Sequence, residues 1–191
     1  MSAVKMDMER ARFNMIEQQI RPWEVLDPEV LDILAAVKRE DFVPAAHRAL
    51  AFADLELPIG NGQTMLQPKI DARVLQEVNV RSTDVVLEVG TGSGYMAALL
   101  AANAEYVHTV EIDSVLAETA RHNLRQAGIT NVSVEIGDAS QGWSASSPYD
   151  VIVISGSLSE LPTAFLQQLK PGGRLVAFIG EPPAREAQLV T

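Results

Sequence analysis

The chain has 191 residues, 47% of them apolar and 5% aromatic, with 25 acidic against 15 basic side chains for a net charge of −10. That length suits one domain with a full core, and that charge leaves no basic footprint for nucleic-acid phosphates or anionic lipid. There is no cysteine and the three histidines are scattered, so disulfides and thiolate nucleophiles are excluded and no metal is expected. No basic N-terminal segment leads into an apolar stretch and no apolar run reaches bilayer length, so the expected location is cytoplasmic with no membrane partner.

Apolar residues at helical spacing predict a first helix over Met8 to Ile20, ended by Arg21-Pro22. Asp27-Pro28 starts a second, because aspartate accepts from orphan N–H groups and proline suits the first helical position. Val30, Leu31, Leu34 and Val37 form its apolar stripe, and Lys38 to Asp41 reads as its solvated end. From Asp41 to Pro68 regular periodicity disappears among prolines 44, 58 and 68 and glycines 60 and 62. An apolar irregular stretch of this length reads as an ordered wall of a site. Beyond it the pattern alternates: a helix to about Val80, strand 85 to 89, helix 95 to 104, strand 106 to 112 and helix 114 to 127 ending at Gly128. Strands 132 to 136 and 150 to 154, helix 160 to 169 and strand 174 to 179 complete five parallel strands of a doubly wound sheet.

Val85 to Gly94 is an apolar strand running into glycines 90, 92 and 94 and then a helix. Glycine recurs where a strand must turn into a helix while its backbone passes close to a ligand. A dinucleotide fingerprint sets its third glycine three residues after the second. Here it follows after two, and Glu88 precedes the turn, which suits S-adenosylmethionine better than NAD. Glu111 ends the second strand about 20 residues beyond the first glycine, where a carboxylate can accept from both ribose hydroxyls. Asp138 follows the third strand and could accept from an adenine amino group, with Ala139 offering its backbone N–H to the ring. Gly90, Gly92 and Ser93 would border the amino-acid tail, and Glu88 would anchor that end through water or its ammonium. His47, His108 and His122 read as structural, and Trp23 and Trp143 carry no assigned role.

Leu57-Pro58-Ile59-Gly60-Asn61-Gly62-Gln63-Thr64 with Gln67-Pro68 resembles the active-site loop of protein-L-isoaspartate O-methyltransferases. Asp41 to Pro44, Glu88 to Tyr95, Gly137-Asp138, Gly142-Trp143, Pro148 to Asp150 and Leu169 to Leu175 look like further blocks of that family, in its order. The resemblance implies a class I Rossmann-like α/β fold, mostly parallel, with a helical N-terminal extension covering the cofactor. It makes residues 1–191 one domain, with 1–67 as extension and active-site loop and 68–191 as cofactor-binding core. It also implies that Gln63, Thr64, Met65, Leu66, Asp71, Ser93, Glu111, Ile112, Asp138 and Ala139 approach the cofactor. The implied reaction leaves a methyl ester on an altered aspartyl residue of a damaged protein or peptide, with S-adenosylhomocysteine as by-product.

Two departures stand out. The family's loop reads Thr-Ile-Ser, its serine facing the isoaspartyl carboxylate, where this chain reads Thr64-Met65-Leu66, and leucine cannot donate that hydrogen bond. The family also continues into an antiparallel hairpin that completes a seven-stranded sheet. Here only Ala187 to Thr191 remain to begin it, so a truncated hairpin, or a homodimer covering the exposed edge, is expected. Asp71, where histidine is also found in the family, would repel an anionic substrate unless paired, with Lys69 or Arg73 as the expected partner. Two rival readings remain open: a methyltransferase for another small carboxylate or hydroxyl acceptor, and a cofactor-binding protein that has lost turnover.

Overall fold

Asp7 caps the first helix of the computed structural model, which describes residues 7–180 and 184–191. Its side chain accepts the Arg10 N–H at 3.1 Å, and α1 runs Met8–Met15. The helix expected to Ile20 widens at that point into a π turn, Ile16–Ile20, which carries both isoleucines into buried positions, and then tightens into a 3-10 turn, Arg21–Trp23. α2 (Pro28–Ala36) begins as its sequence signals, the Asp27 carboxylate accepting the Glu29 N–H at 2.9 Å, and buries Val30, Leu31, Ile33 and Leu34.

Two expectations fail in the next segment. Lys38 to Asp41 is not a solvated helix end, because Arg39 and Glu40 lie buried in a 3-10 turn. Each is tolerated there by an opposite charge, Glu40 by Arg12 and Arg39 by Asp71. The stretch from Asp41 to Pro68 is also not wholly irregular. After a 3-10 turn at Ala45–Leu50 it forms an antiparallel hairpin of β1 (Leu57–Gly60) and β2 (Gln63–Met65). Asn61 and Gly62 make the turn with φ of 50° and 74°, the left-handed pair that matches the twist of two hairpin strands. α3 (Pro68–Val78) follows. One compact unit of the chain ends at Gln76 and the other runs from Glu77 to Thr191.

The second unit holds a six-stranded sheet in the order β5-β4-β3-β6-β7-β8. Its strands are β3 (Val85–Val89), β4 (Tyr106–Glu111), β5 (Val132–Ile136), β6 (Tyr149–Leu158), β7 (Leu169–Ile179) and β8 (Glu186–Val190). The first five are parallel to one another, while β8 pairs antiparallel with β7, so the segment expected to begin a hairpin supplies one further strand. α4 (Tyr95–Ala101) buries all seven of its residues, whereas α5 (Ser114–Gln126) buries a single stripe of Leu116, Ala117, Ala120 and Leu124. α6 (Thr163–Gln167) is shorter than the expected 160 to 169, its start set by Pro162. Phe165 shares one buried core cluster with Leu87, Tyr149, Ile152, Ile154 and Leu175, which joins α6 to β3, β6 and β7.

β5 is an edge strand, and one of its outward-facing carbonyls is capped by a side chain. Val107 donates to the Asn131 carbonyl and Gly137 to the Glu111 carbonyl, each at 3.0 Å, so the Val134 carbonyl faces away from β4. Arg121 of α5 donates to it from Nε at 3.2 Å and from Nη2 at 2.6 Å, and Glu118 holds the same guanidinium. An edge acceptor satisfied in this way cannot template another strand. Arg121→Ala is expected to keep the wild-type circular dichroism but to increase self-association in sedimentation velocity at matched concentration; identical sedimentation would show that this edge needs no cover.

Candidate cofactor and acceptor site

Strand order reverses between β3 and β6, and ligands of open parallel sheets sit beyond the strand carboxyl ends at such a point. The turn after β3 begins at Gly90, whose φ is 93°, and a Cβ there would stand 3.1 Å from the backbone nitrogen of Gly156. Two backbones therefore pass where no side chain fits. Gly90 N–H donates to the Val110 carbonyl at 2.9 Å, tying the turn to β4.

Glu111, 6% exposed, closes β4 directly beside this turn. Its Oε2 accepts the Gly92 N–H at 2.8 Å and its Oε1 the Asp113 N–H at 3.0 Å. Each carboxylate oxygen keeps a second lone pair, so a fixed acceptor for a diol remains. Ile112, the next residue, is 71% exposed and presents an aliphatic face. Gly137 follows β5, and a Cβ on it would meet the six-membered ring of Trp143 at 2.8 Å, so the indole closes over this glycine. Asp138 is solvent-facing, and the Ser140 N–H that it accepts at 2.9 Å holds its carboxyl below the ordinary value. Ala139 is buried, and so is Ser93, whose carbonyl accepts from Asn123 at 2.9 Å.

Glu88 lies deeper than a ligand anchor would. It is fully buried; Oε1 accepts from Ser155 Oγ at 3.1 Å and Oε2 from Thr109 Oγ1 at 2.7 Å. Thr109 and Thr91 share a 2.6 Å bond. With the Thr109 proton on Glu88, Thr91 must donate, which gives a chain from the glycine turn through β4 to β3 and β6. Sequence reasoning did not find Thr91, Thr109 or Ser155 in this role. Glu88 and Thr109 are register partners across two strands, a relation with no local signal.

The residues expected to form an acceptor loop belong to the first unit. Gln63 and Thr64 lie exposed on β2, Met65 is buried and Leu66 half-buried. Thr64 donates its hydroxyl to Glu56 at 3.1 Å. Lys69 pairs with Asp54 at 2.7 Å and stacks over Trp23, with Nζ 4.1 Å from the ring centroid. Asp71 is therefore not held by Lys69, and Arg73 donates instead to the Trp23 carbonyl at 3.3 Å. The partner is Arg39, wholly buried, whose Nη1 lies 2.5 Å from Asp71 Oδ2. Burial pushes the Asp71 carboxyl up to about 6 against the pull of that guanidinium.

Residues 10–191 match the family model described as Protein-L-isoaspartate(D-aspartate) O-methyltransferase. A Syntrophobacter fumaroxidans protein named protein-L-isoaspartate O-methyltransferase 2 is 48% identical over 157 residues, 82% of this chain and 64% of that protein. A Koribacter versatilis protein named protein-L-isoaspartate O-methyltransferase is 43% identical over 183 residues, 96% of this chain and 82% of that protein. A solved structure named protein-L-isoaspartate O-methyltransferase superposes with a TM-score of 0.80 at 27% identity, over 95% of this chain and 59% of the other. The chain thus spans less than two thirds of the Syntrophobacter protein and of that structure. A Plasmodium falciparum structure assigned to the same activity, in complex with S-adenosyl-L-homocysteine, has a TM-score of 0.80 at 20% identity, covers 98% of this chain and 90% of its own, and shows the fold alone.

The elevated Asp71 carboxyl carries a signed consequence for stability. The folded chain takes up the proton near pH 6 and the unfolded chain near 3.8, so the folded state holds an extra proton between these values. Stability from that proton is complete below the unfolded value and lost as pH rises through the folded one. Against an Asp71→Asn variant, the wild-type chain is expected to lose on the order of a few kcal/mol as pH rises from 4 to 7. Chemical denaturation across that range checks it, and parallel curves would show that Asp71 titrates alike in both states.

Proposed function

This chain belongs to the protein-L-isoaspartate(D-aspartate) O-methyltransferase family, and on that premise we propose that it methylates the free carboxylate of altered aspartyl residues, using S-adenosylmethionine. The observation that carries the reading is the Glu111 carboxylate fixed by the Gly92 N–H beside the switch point of the sheet. The residues fit the cofactor. Gly90, at a φ of 93°, lets the turn pass against the Gly156 backbone at the switch point, Glu111 keeps lone pairs for the ribose diol, and Asp138 faces solvent as an acceptor for an adenine amino group. Ile112 supplies an apolar surface for the ring, and Ala139 its backbone N–H.

When bound, S-adenosylmethionine supplies an electrophilic methyl group on a sulfonium. The acceptor carboxylate is already a nucleophile, so no strong base is needed and the chain's task is orientation. Gln63, Thr64, Met65 and Leu66 form the acceptor loop of this proposal, with Thr64 the remaining hydroxyl. A damaged protein or peptide is the partner, the location is cytoplasmic, and the net charge of −10 argues against nucleic acid. A homodimer belongs to the proposal as cover for a sheet edge.

Leu66 favours a second reading, in which the acceptor is another small carboxylate or hydroxyl compound with an apolar neighbour group. Transfer of labelled methyl to an isoaspartyl peptide, with the matching aspartyl peptide as control, decides between them. Selective transfer is expected, and Leu66→Ser is expected to raise its rate about tenfold or more as the missing donor returns. Cofactor binding with no transfer to either peptide would move the acceptor to the second class.

A further inference from the structure

Arg39 donates to three separate segments, among them residue 66. Its Nε donates to the Ala51 carbonyl at 2.9 Å, its Nη1 to Asp71 Oδ2 at 2.5 Å, and its Nη2 to the Leu66 carbonyl. Ala51 follows the 3-10 turn Ala45–Leu50, Leu66 follows β2, and Asp71 lies in the first turn of α3. The Gln67 carbonyl accepts the Ile70 and Asp71 N–H groups at the start of α3, at 3.0 and 3.2 Å, whereas Leu66 belongs to neither β2 nor α3 and its carbonyl is constrained by a side chain instead. The guanidinium supplies that constraint, because its planar fork sets both the distance and the direction of each donor.

We propose that Arg39 is the positioning residue of the acceptor loop: by holding the Leu66 carbonyl it sets the direction in which residue 66 projects. The inference rests on the methyltransferase reading above and adds to it a residue remote from the loop in sequence. It also accounts for the cost of burying the charge. A buried ion pair contributes little net stability compared with an apolar pair of the same shape, but it specifies one geometry. Asp71 fixes the guanidinium from one side, Ala51 from another, and the loop hangs on the third contact.

A second buried arginine provides the control. Arg12 pairs with Glu40 in the same unit and reaches toward the Ala35 carbonyl at 3.5 Å, without touching residues 61–67. Arg39→Lys keeps a positive charge for Asp71, but one ammonium cannot replace three directed donors. In hydrogen exchange, Arg39→Lys is expected to speed exchange of residues 61–67 about tenfold or more, while Arg12→Lys, with a comparable loss of melting temperature, leaves them as in wild type. Acceptor-peptide kcat/KM, corrected for folded fraction, is expected to fall about a hundredfold in Arg39→Lys and less than about threefold in Arg12→Lys. Equal effects of the two substitutions on loop exchange and on kcat/KM would overturn the proposal, since loss of a buried charge would then explain both. If Arg39→Lys does not fold, the double variant Arg39→Met/Asp71→Leu removes both buried charges, and unchanged loop exchange in it would equally overturn the proposal. Should the wild-type chain methylate no isoaspartyl peptide, the functional reading fails on its own, and loop exchange alone decides the role of Arg39.

Discussion

The hydrogen bond from Gly92 N–H to Glu111 is the contact on which the proposed cofactor site of the second unit depends. A glycine turn is the least constrained backbone in a fold, and its freedom is useful only if something outside it selects one conformation. Glu111 makes that selection from β4, while Gly90 is tied to the Val110 carbonyl at the same strand end. Beneath them the chain Thr91, Thr109, Glu88, Ser155 fixes the turn to three strands. A carboxylate held by backbone donors is already oriented, so a ribose diol that binds it does not have to order the acceptor as well.

The first unit solves a similar problem with buried charge. Arg12 with Glu40 and Arg39 with Asp71 bring four ionisable side chains inside a unit of modest size, each under a tenth exposed. Removing one member of such a pair costs about 3–5 kcal/mol, because the other is left charged and dry. Pairs of this kind are poor sources of net stability and good sources of geometry. The hairpin β1–β2 and the residues after it have few apolar anchors besides Leu57 and Met65, so the geometry of that loop comes from Arg39.

Much of this was legible in the sequence, and the limits have physical reasons. The parallel strands and their helices follow from alternation of apolar runs with glycine and proline punctuation, and Asp27 caps a helix where an aspartate precedes an apolar stripe. The hairpin was readable from Asn61-Gly62, a turn signal hidden among the surrounding prolines and glycines. Arg39 and Glu40 were not readable. A run of charges after a helix is ordinarily solvated, and their partners lie 32 residues downstream for Arg39 and 28 upstream for Glu40. Glu88 marks the limit of local reading: its hydroxyl partners, Thr109 across the β3–β4 register and Ser155 in β6, leave no signal in the neighbouring sequence. Glu111 was easier to place, because its position at the end of β4 depends only on where one strand ends.

The proposed cofactor site depends most directly on Glu111 as the acceptor for the ribose. Calorimetric titration of S-adenosylhomocysteine into the wild-type chain and an Glu111→Ala variant, each with its melting temperature recorded, tests that claim. Saturable binding by the wild type and an affinity about tenfold or more weaker in the variant while it remains folded is the predicted result. Equal affinity in the two would place the ribose elsewhere and contradict the account.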